Sequence, residues 1–169
     1  MLLQKGKSIL TARELTTYAL LVAILLAVQV VLAPLPNIEL VSLLIVLYTR
    51  RYHGRALLII YAFVLLEGLI YGFGLWFVNY LYVWAVLWGL SMLFSKMDGT
   101  AGWVLLLAAY GLGFGLLCAI PYLFIGGIGY AVSSFVSGIP FDLAHGLGNA
   151  VLAALLFRPL DKLLSKQLT

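Results

Sequence analysis

The sequence predicts an all-α integral membrane protein with six transmembrane helices and both termini in the cytoplasm. Three observations carry that expectation. Of the 169 residues, 64% are hydrophobic and only 9% charged, whereas a soluble domain carries about 25% charged residues. The apolar residues fall into runs that make about six helical spans at about 20 residues each, leaving no soluble domain. All ten Lys and Arg residues fall on one side once six spans are drawn, and the positive-inside rule makes that side cytoplasmic.

Each element follows in order, within a single transmembrane domain covering 1–169. Residues 1–14 are polar and basic, with Lys5, Lys7 and Arg13. Span 1 is expected over 15–33, ending at Pro34 and Pro36. It is too long for a cleavable signal peptide and lacks a small-x-small cleavage pattern. Span 2, over 38–49, is short and begins beside Asn37 and Glu39. Arg50, Arg51, His53 and Arg55 form a basic turn. Span 3 covers 56–73 and contains Glu67; span 4 covers 76–94. A polar turn with Lys96 leads to span 5, over 102–124, interrupted by Pro121. Residues 126–138 read as an uncharged loop. Span 6, over 139–157, has Pro140 in its first turn and Ser137 as its cap. Arg158, Lys162 and Lys166 follow it. The net charge of +4 therefore reads as topology and not as a nucleic-acid surface; a lipid-headgroup site is the alternative. The single Cys118 allows neither an internal disulfide nor a Cys-based metal site.

The final span organises the chain chemically. Asp142, His145 and Asn149 lie at i, i+3 and i+7, within roughly a 60° stripe of one helix face. Polar groups on an apolar helix must face protein, ligand or a water-filled cavity. Counting at 1.5 Å per residue from the basic flanks puts Asn149 roughly 14 Å, His145 roughly 20 Å and Asp142 roughly 24 Å into the bilayer. The same count gives roughly 17 Å for Glu39, 18 Å for Glu67 and 25 Å for Asn79. Similar depth on four spans predicts a cavity open to the outside. Glu67, His145 and Asn149 would line it, with Asp142 and Asn79 near its mouth. The aromatic stretch with Tyr71, Trp76 and Tyr80 suits a flat heterocycle. The outer half holds no Lys or Arg, so the ligand is expected to be small, flat, and neutral or weakly cationic. Structural alternatives stand beside each reading. Glu39 fits the outer headgroup layer, and Asp142 fits a helix N-terminus. His145 and Asn149 fit interhelical hydrogen bonds, and the rings fit an interfacial belt. Glu67 is hardest to assign structurally, because a carboxylate in mid-span needs a partner or a proton.

Span 1 carries Ala19, Ala23 and Ala27 at a spacing of four, extended by Ala12 and Thr16. Such a stripe admits another helix closely; an internal packing face is the alternative. Gly111-x-x-x-Gly115 likewise suits close helix packing.

Together the alanine ladder, the topology and the closing Ile139-Pro-Phe-Asp-Leu-Ala-His145 resemble the substrate-binding S component of an energy-coupling factor (ECF) transporter. Gly148-Asn149, Phe157-Arg-Pro159, Leu35-Pro-Asn-Ile-Glu-Leu40 and the region from Glu67 to Tyr82 extend the resemblance over nearly the whole chain. The nearest subgroup is the one assigned to hydroxymethylpyrimidine or pyridoxine. The resemblance implies a bacterial plasma-membrane protein that captures its vitamin from outside. Its partners would be a transmembrane coupling subunit, docked on Ala19, Ala23 and Ala27, and two ATPase subunits. It implies a substrate set of Asn37, Glu39, Glu67, Tyr71, Trp76, Asn79, Tyr80, Asp142, His145 and Asn149, with no cofactor, metal or catalytic residue. The chain has no P-loop, so ATP hydrolysis would belong to the partners. Two other classes remain open: a stand-alone proton-coupled transporter using Glu67, and an intramembrane enzyme using Asp142 and His145 as an acid–base pair.

Overall fold

The computed structural model describes residues 10–35 and 37–166; Lys5, Lys7 and Pro36 lie outside the described residues. These residues form helices joined by short turns. Helix α1 (Ala12–Leu32) starts with a reciprocal cap: Thr11 Oγ1 accepts from the Glu14 N–H at 3.2 Å, and the Glu14 carboxylate accepts from the Thr11 N–H at 2.9 Å. That arrangement satisfies two backbone donors that a helix start leaves open. Helix α2 (Val41–Tyr52) is buried without interruption from Val41 to Thr49. It is apolar on every face because neighbours cover every face. A 3-10 turn (His53–Arg55), entered through His53 at φ 50°, leads into α3 (Ala56–Tyr71). Helices α4 (Leu75–Leu93), α5 (Thr100–Leu112) and α6 (Phe114–Cys118) follow, then α7 (Ile120–Lys166).

Four stretches are long and apolar enough to cross a membrane: Ala12–Leu32, Val41–Tyr71, Leu75–Leu93 and Ile120–Lys166. Thr100–Leu112 is apolar but shorter. The expected span 5 is cut into pieces at Gly113 and Ala119, and the helix then continues through Pro121.

The expected loop over 126–138 is a correction. Helix continues on both sides of Gly127, which alone departs from it, at φ 75°. The chain reverses there: the rings of Tyr122 and Tyr130 lie 5.0 Å apart, whereas eight residues of straight helix would separate them by about 12 Å. Only glycine takes that φ without strain. Ser137 is not a cap either; its hydroxyl donates back to the Ser134 carbonyl at 2.9 Å.

Successive rods run antiparallel. Tyr18 of α1 meets Tyr52 of α2 edge-on at 5.3 Å, and the Tyr61 hydroxyl of α3 donates to Leu81 of α4 at 3.0 Å. Trp103 of α5 stacks on Phe157 of α7 at 5.8 Å. Further along the same pair, a Cβ on Gly111 would stand 2.8 Å from the Gly146 Cα, so the two backbones touch. The glycine spacing read from the sequence is thus a helix crossing.

Arginines gather at one end of this bundle. Arg50 lies 4.8 Å over the Trp103 ring and 5.6 Å over Phe157, and donates to the Met97 carbonyl at 3.3 Å. Arg158 donates to Thr100 at 2.9 Å, and Arg55 pairs with Glu14. On α1 the inward face is Tyr18, Leu21, Val22 and Leu25. Ala19, Ala23 and Ala27 lie on the opposite face, exposed together with Ala12 and Thr16. The stripe is not an internal packing face of this chain.

Candidate functional site

Two cavities adjoin at the end of the bundle remote from the arginines, where α1 finishes and α4 begins. One, of about 340 Å³, is walled by Glu67, Tyr71, Trp76 and Tyr80 with Gln29 and Ala33. The other, of about 250 Å³, shares Gln29, Ala33 and Tyr80 and adds Asn37, Glu39, Trp84, Phe114 and His145. Tyr80 and Gln29 thus stand where the two meet.

The aromatic wall follows from helical spacing. Trp76, Tyr80 and Trp84 recur every four residues on α4, so their rings stack up one face. Trp76 meets Tyr80 edge-on at 5.3 Å, and Tyr80 meets Trp84 at 5.2 Å. Glu67 enters from the last turn of α3. The next residue is Gly68, where a Cβ would collide with the Phe73 ring and lie 3.0 Å from Phe77; those rings fold over it. Glu67 is 2% exposed, and its Oε1 is buried with no hydrogen-bond partner. No ion pair among the described residues includes it.

Glu39 works differently. It precedes α2 and is not helical, so its depth does not follow from counting turns. Its Oε2 accepts from the Ser42 N–H at 2.7 Å and holds the start of α2. Its Oε1 lies 3.1 Å from His145 Nε2 on α7. The turn that delivers it contains Asn37 at φ 59°, a conformation that Asn tolerates better than most residues. The His145 ring packs edge-on against Phe114 at 4.8 Å, and its Nδ1 has no partner. The Trp84 Nε1–H is unpartnered as well.

Seven residues of the expected substrate set are therefore brought to the two cavities: Asn37, Glu39, Glu67, Tyr71, Trp76, Tyr80 and His145. Three are not. Asp142 Oδ1 accepts from the Gly115 N–H at 2.9 Å. Asn149 Nδ2 donates to the Leu107 carbonyl at 3.4 Å. Asn79 Oδ1 accepts from the Tyr82 hydroxyl at 3.0 Å. None of the three walls either cavity, although the second carboxylate oxygen of Asp142 is buried without a partner, so the expectation that Asn149 lines the cavity and that Asp142 and Asn79 sit at its mouth is corrected. Asp142 and His145 also have different partners, and no acid–base pair forms between them.

Sequence reasoning missed Gln29, Trp84 and Phe114. Gln29 had a signal: it is the one amide in the apolar length of α1. Trp84 belonged to the aromatic stretch by spacing. Phe114 had none, because its placement depends on α6 turning towards α7.

A larger groove, of about 650 Å³, opens between α4 and α5. Its walls are apolar apart from Tyr110, whose hydroxyl is already bound to the Val83 carbonyl at 3.0 Å. It offers shape without recognition chemistry, unlike the two polar cavities.

No family model matches this sequence, and no curated protein or solved structure matches it.

Proposed function

We propose that this chain is the substrate-binding S component of an ECF-type importer. In this reading it crosses the membrane six times, with breaks at His53 and Gly127 dividing the longest apolar stretches, and its arginine-rich end is cytoplasmic. It captures a small flat vitamin or precursor, such as hydroxymethylpyrimidine or pyridoxine, from outside. A transmembrane coupling subunit with two ATPase subunits drives delivery inward.

The observation that carries this reading is Glu67, a buried carboxylate without a partner in an aromatic cavity. A group left that way in a low-dielectric interior is costly unless something completes it. An acceptor-only carboxylate among ring faces fits a heterocycle bearing amino or hydroxyl donors. The uncovered alanine stripe on α1 supports a helical partner. A stand-alone proton-coupled transporter would use the same Glu67, and co-purification with ATPase subunits separates the two.

The test is titration of the purified chain with hydroxymethylpyrimidine and pyridoxine, followed by quenching of tryptophan fluorescence. Saturable binding is expected, with phosphorylated forms much weaker because like charges would meet in low dielectric. Equal affinity for a phosphorylated form sinks this view of the pocket. Ala23→Trp should abolish transport and spare binding; loss of both would make the stripe structural.

A further inference from the structure

A separate cavity of about 350 Å³ lies at the opposite end, between the start of α1 and the α2–α3 turn, and its walls include Arg13, Arg51 and Arg55. The rings of Tyr18 and Tyr52, in edge-to-face contact at 5.3 Å, join the two elements beneath it. Glu14 is the one acid in the wall, and its carboxylate is already engaged by Thr11 and Arg55. Arg13 has no partner among the described residues. Arg51 makes one long contact, from Nη2 to the Ser165 carbonyl at 3.4 Å. With Glu14 taken up by Arg55, the charges of Arg13 and Arg51 are not offset by any carboxylate among the described residues, and most of their N–H donors are unused.

We propose that this cavity binds a phosphate ester and that its source is the headgroup of an anionic phospholipid. The planar fork of arginine matches phosphate oxygens in pairs, which a scattered set of lysines would not do. Position favours a lipid over a free anion. Leu58, one helical turn past Arg55, and Leu65, on the same face of α3 a further two turns on, are each 52% exposed. Apolar outward surface therefore begins directly beside the charged cavity. A phosphodiester seated among the arginines would lay its acyl chains along this outer face of α3. A basic pocket between helices at a membrane boundary is a recognised form of headgroup site.

The full-length protein should be purified from a membrane of mixed phosphatidylglycerol and phosphatidylcholine and its retained lipids counted by native mass spectrometry. Preferential retention of phosphatidylglycerol is expected. Arg13→Gln should lower it about 5-fold, and Arg13→Gln with Arg51→Gln about 25-fold, the effect of removing surface arginines one at a time. Lys162→Gln, at the same end but outside the cavity, should leave retention unchanged. Arg13 is exposed and unpartnered, so its single variant reads the effect even if the double variant does not fold. Equal retention of both lipids, or an equal loss in Lys162→Gln, overturns the site. Displacement of phosphatidylglycerol by inorganic phosphate in the wild type overturns the lipid source, because a soluble phosphate ester would then be the occupant.

Discussion

The two ends of the bundle surround their buried polar groups differently. At the arginine end, Arg50 rests on Trp103 and Phe157 and donates to Met97, and the Trp103 indole N–H donates to the same carbonyl at 2.9 Å. Long side chains there lie against their own fold, although the Arg50 Nε is itself buried without a hydrogen bond, 3.8 Å from the Asp161 carboxylate. At the cavity end Glu67, the His145 Nδ1 and the Trp84 Nε1–H are each left without a partner. Native proteins rarely leave buried polar atoms unpaired, so a cluster of them marks where something from outside the chain belongs. The contrast is between a buried cation set against rings, a carbonyl and a distant carboxylate, and buried groups that face two cavities.

That division can be broken by substitution, and the largest effect is expected at the arginine end. Arg50→Ala removes a charge-assisted hydrogen bond and contact with two rings, and should cost about 2–4 kcal/mol of stability. Ligand affinity of the protein that remains folded should not change. Thermal unfolding and fluorescence titration on the same sample read both quantities. Glu67→Gln should do the reverse. Affinity should fall by roughly 5- to 150-fold, the worth of one buried hydrogen bond, while the ligand-free protein loses no stability. If Arg50→Ala weakened binding as much as Glu67→Gln, the two ends would not be distinct.

Smaller effects sharpen the line. Asn149→Ala removes an interhelical hydrogen bond to Leu107, worth about 0.6–1.7 kcal/mol between membrane helices, and should leave titration curves superimposable on wild type. A fall in affinity would return Asn149 to the cavity. Leu147 is 67% exposed between His145 and Asn149, so Leu147→Ala should change stability by less than about 0.5 kcal/mol. Binding should not respond at all.

Much of the helical architecture was legible because the polar residues are few and conspicuous. Asp142, His145 and Asn149 were predicted to share a stripe, and all three are indeed buried. Their common destination was not legible. Seven residues of helix cover about 10 Å, which is enough for one face to pass three neighbours, and the three side chains meet Gly115, Glu39 and Leu107 in turn. Membership of a face fixes direction, not partner. The Glu39–His145 contact joins residues 106 apart in sequence, and nothing local announces it. Residues 128–138 were misread for a related reason. Glycine and serine weaken a helix by at most about 1 kcal/mol each, and pairing across the reversal at Gly127 outweighs that.

Helix α2 has a consequence for how the protein enters a membrane. Its 12 residues reach only about 18 Å, well short of a hydrocarbon core of about 30 Å. Glu39 precedes it, and Arg50 and Arg51 end it. A segment this short and this flanked has little drive to leave the translocation channel for lipid by itself. Yet in the finished protein it touches almost no lipid, because protein surrounds it from Val41 to Thr49. In the six-span reading proposed above, its insertion is therefore a matter of company: α2 is carried in with α1 and α3 and sealed by α4 and α7, which are synthesised later. The most deeply buried helix is among the first to be made and among the last to find its final surroundings.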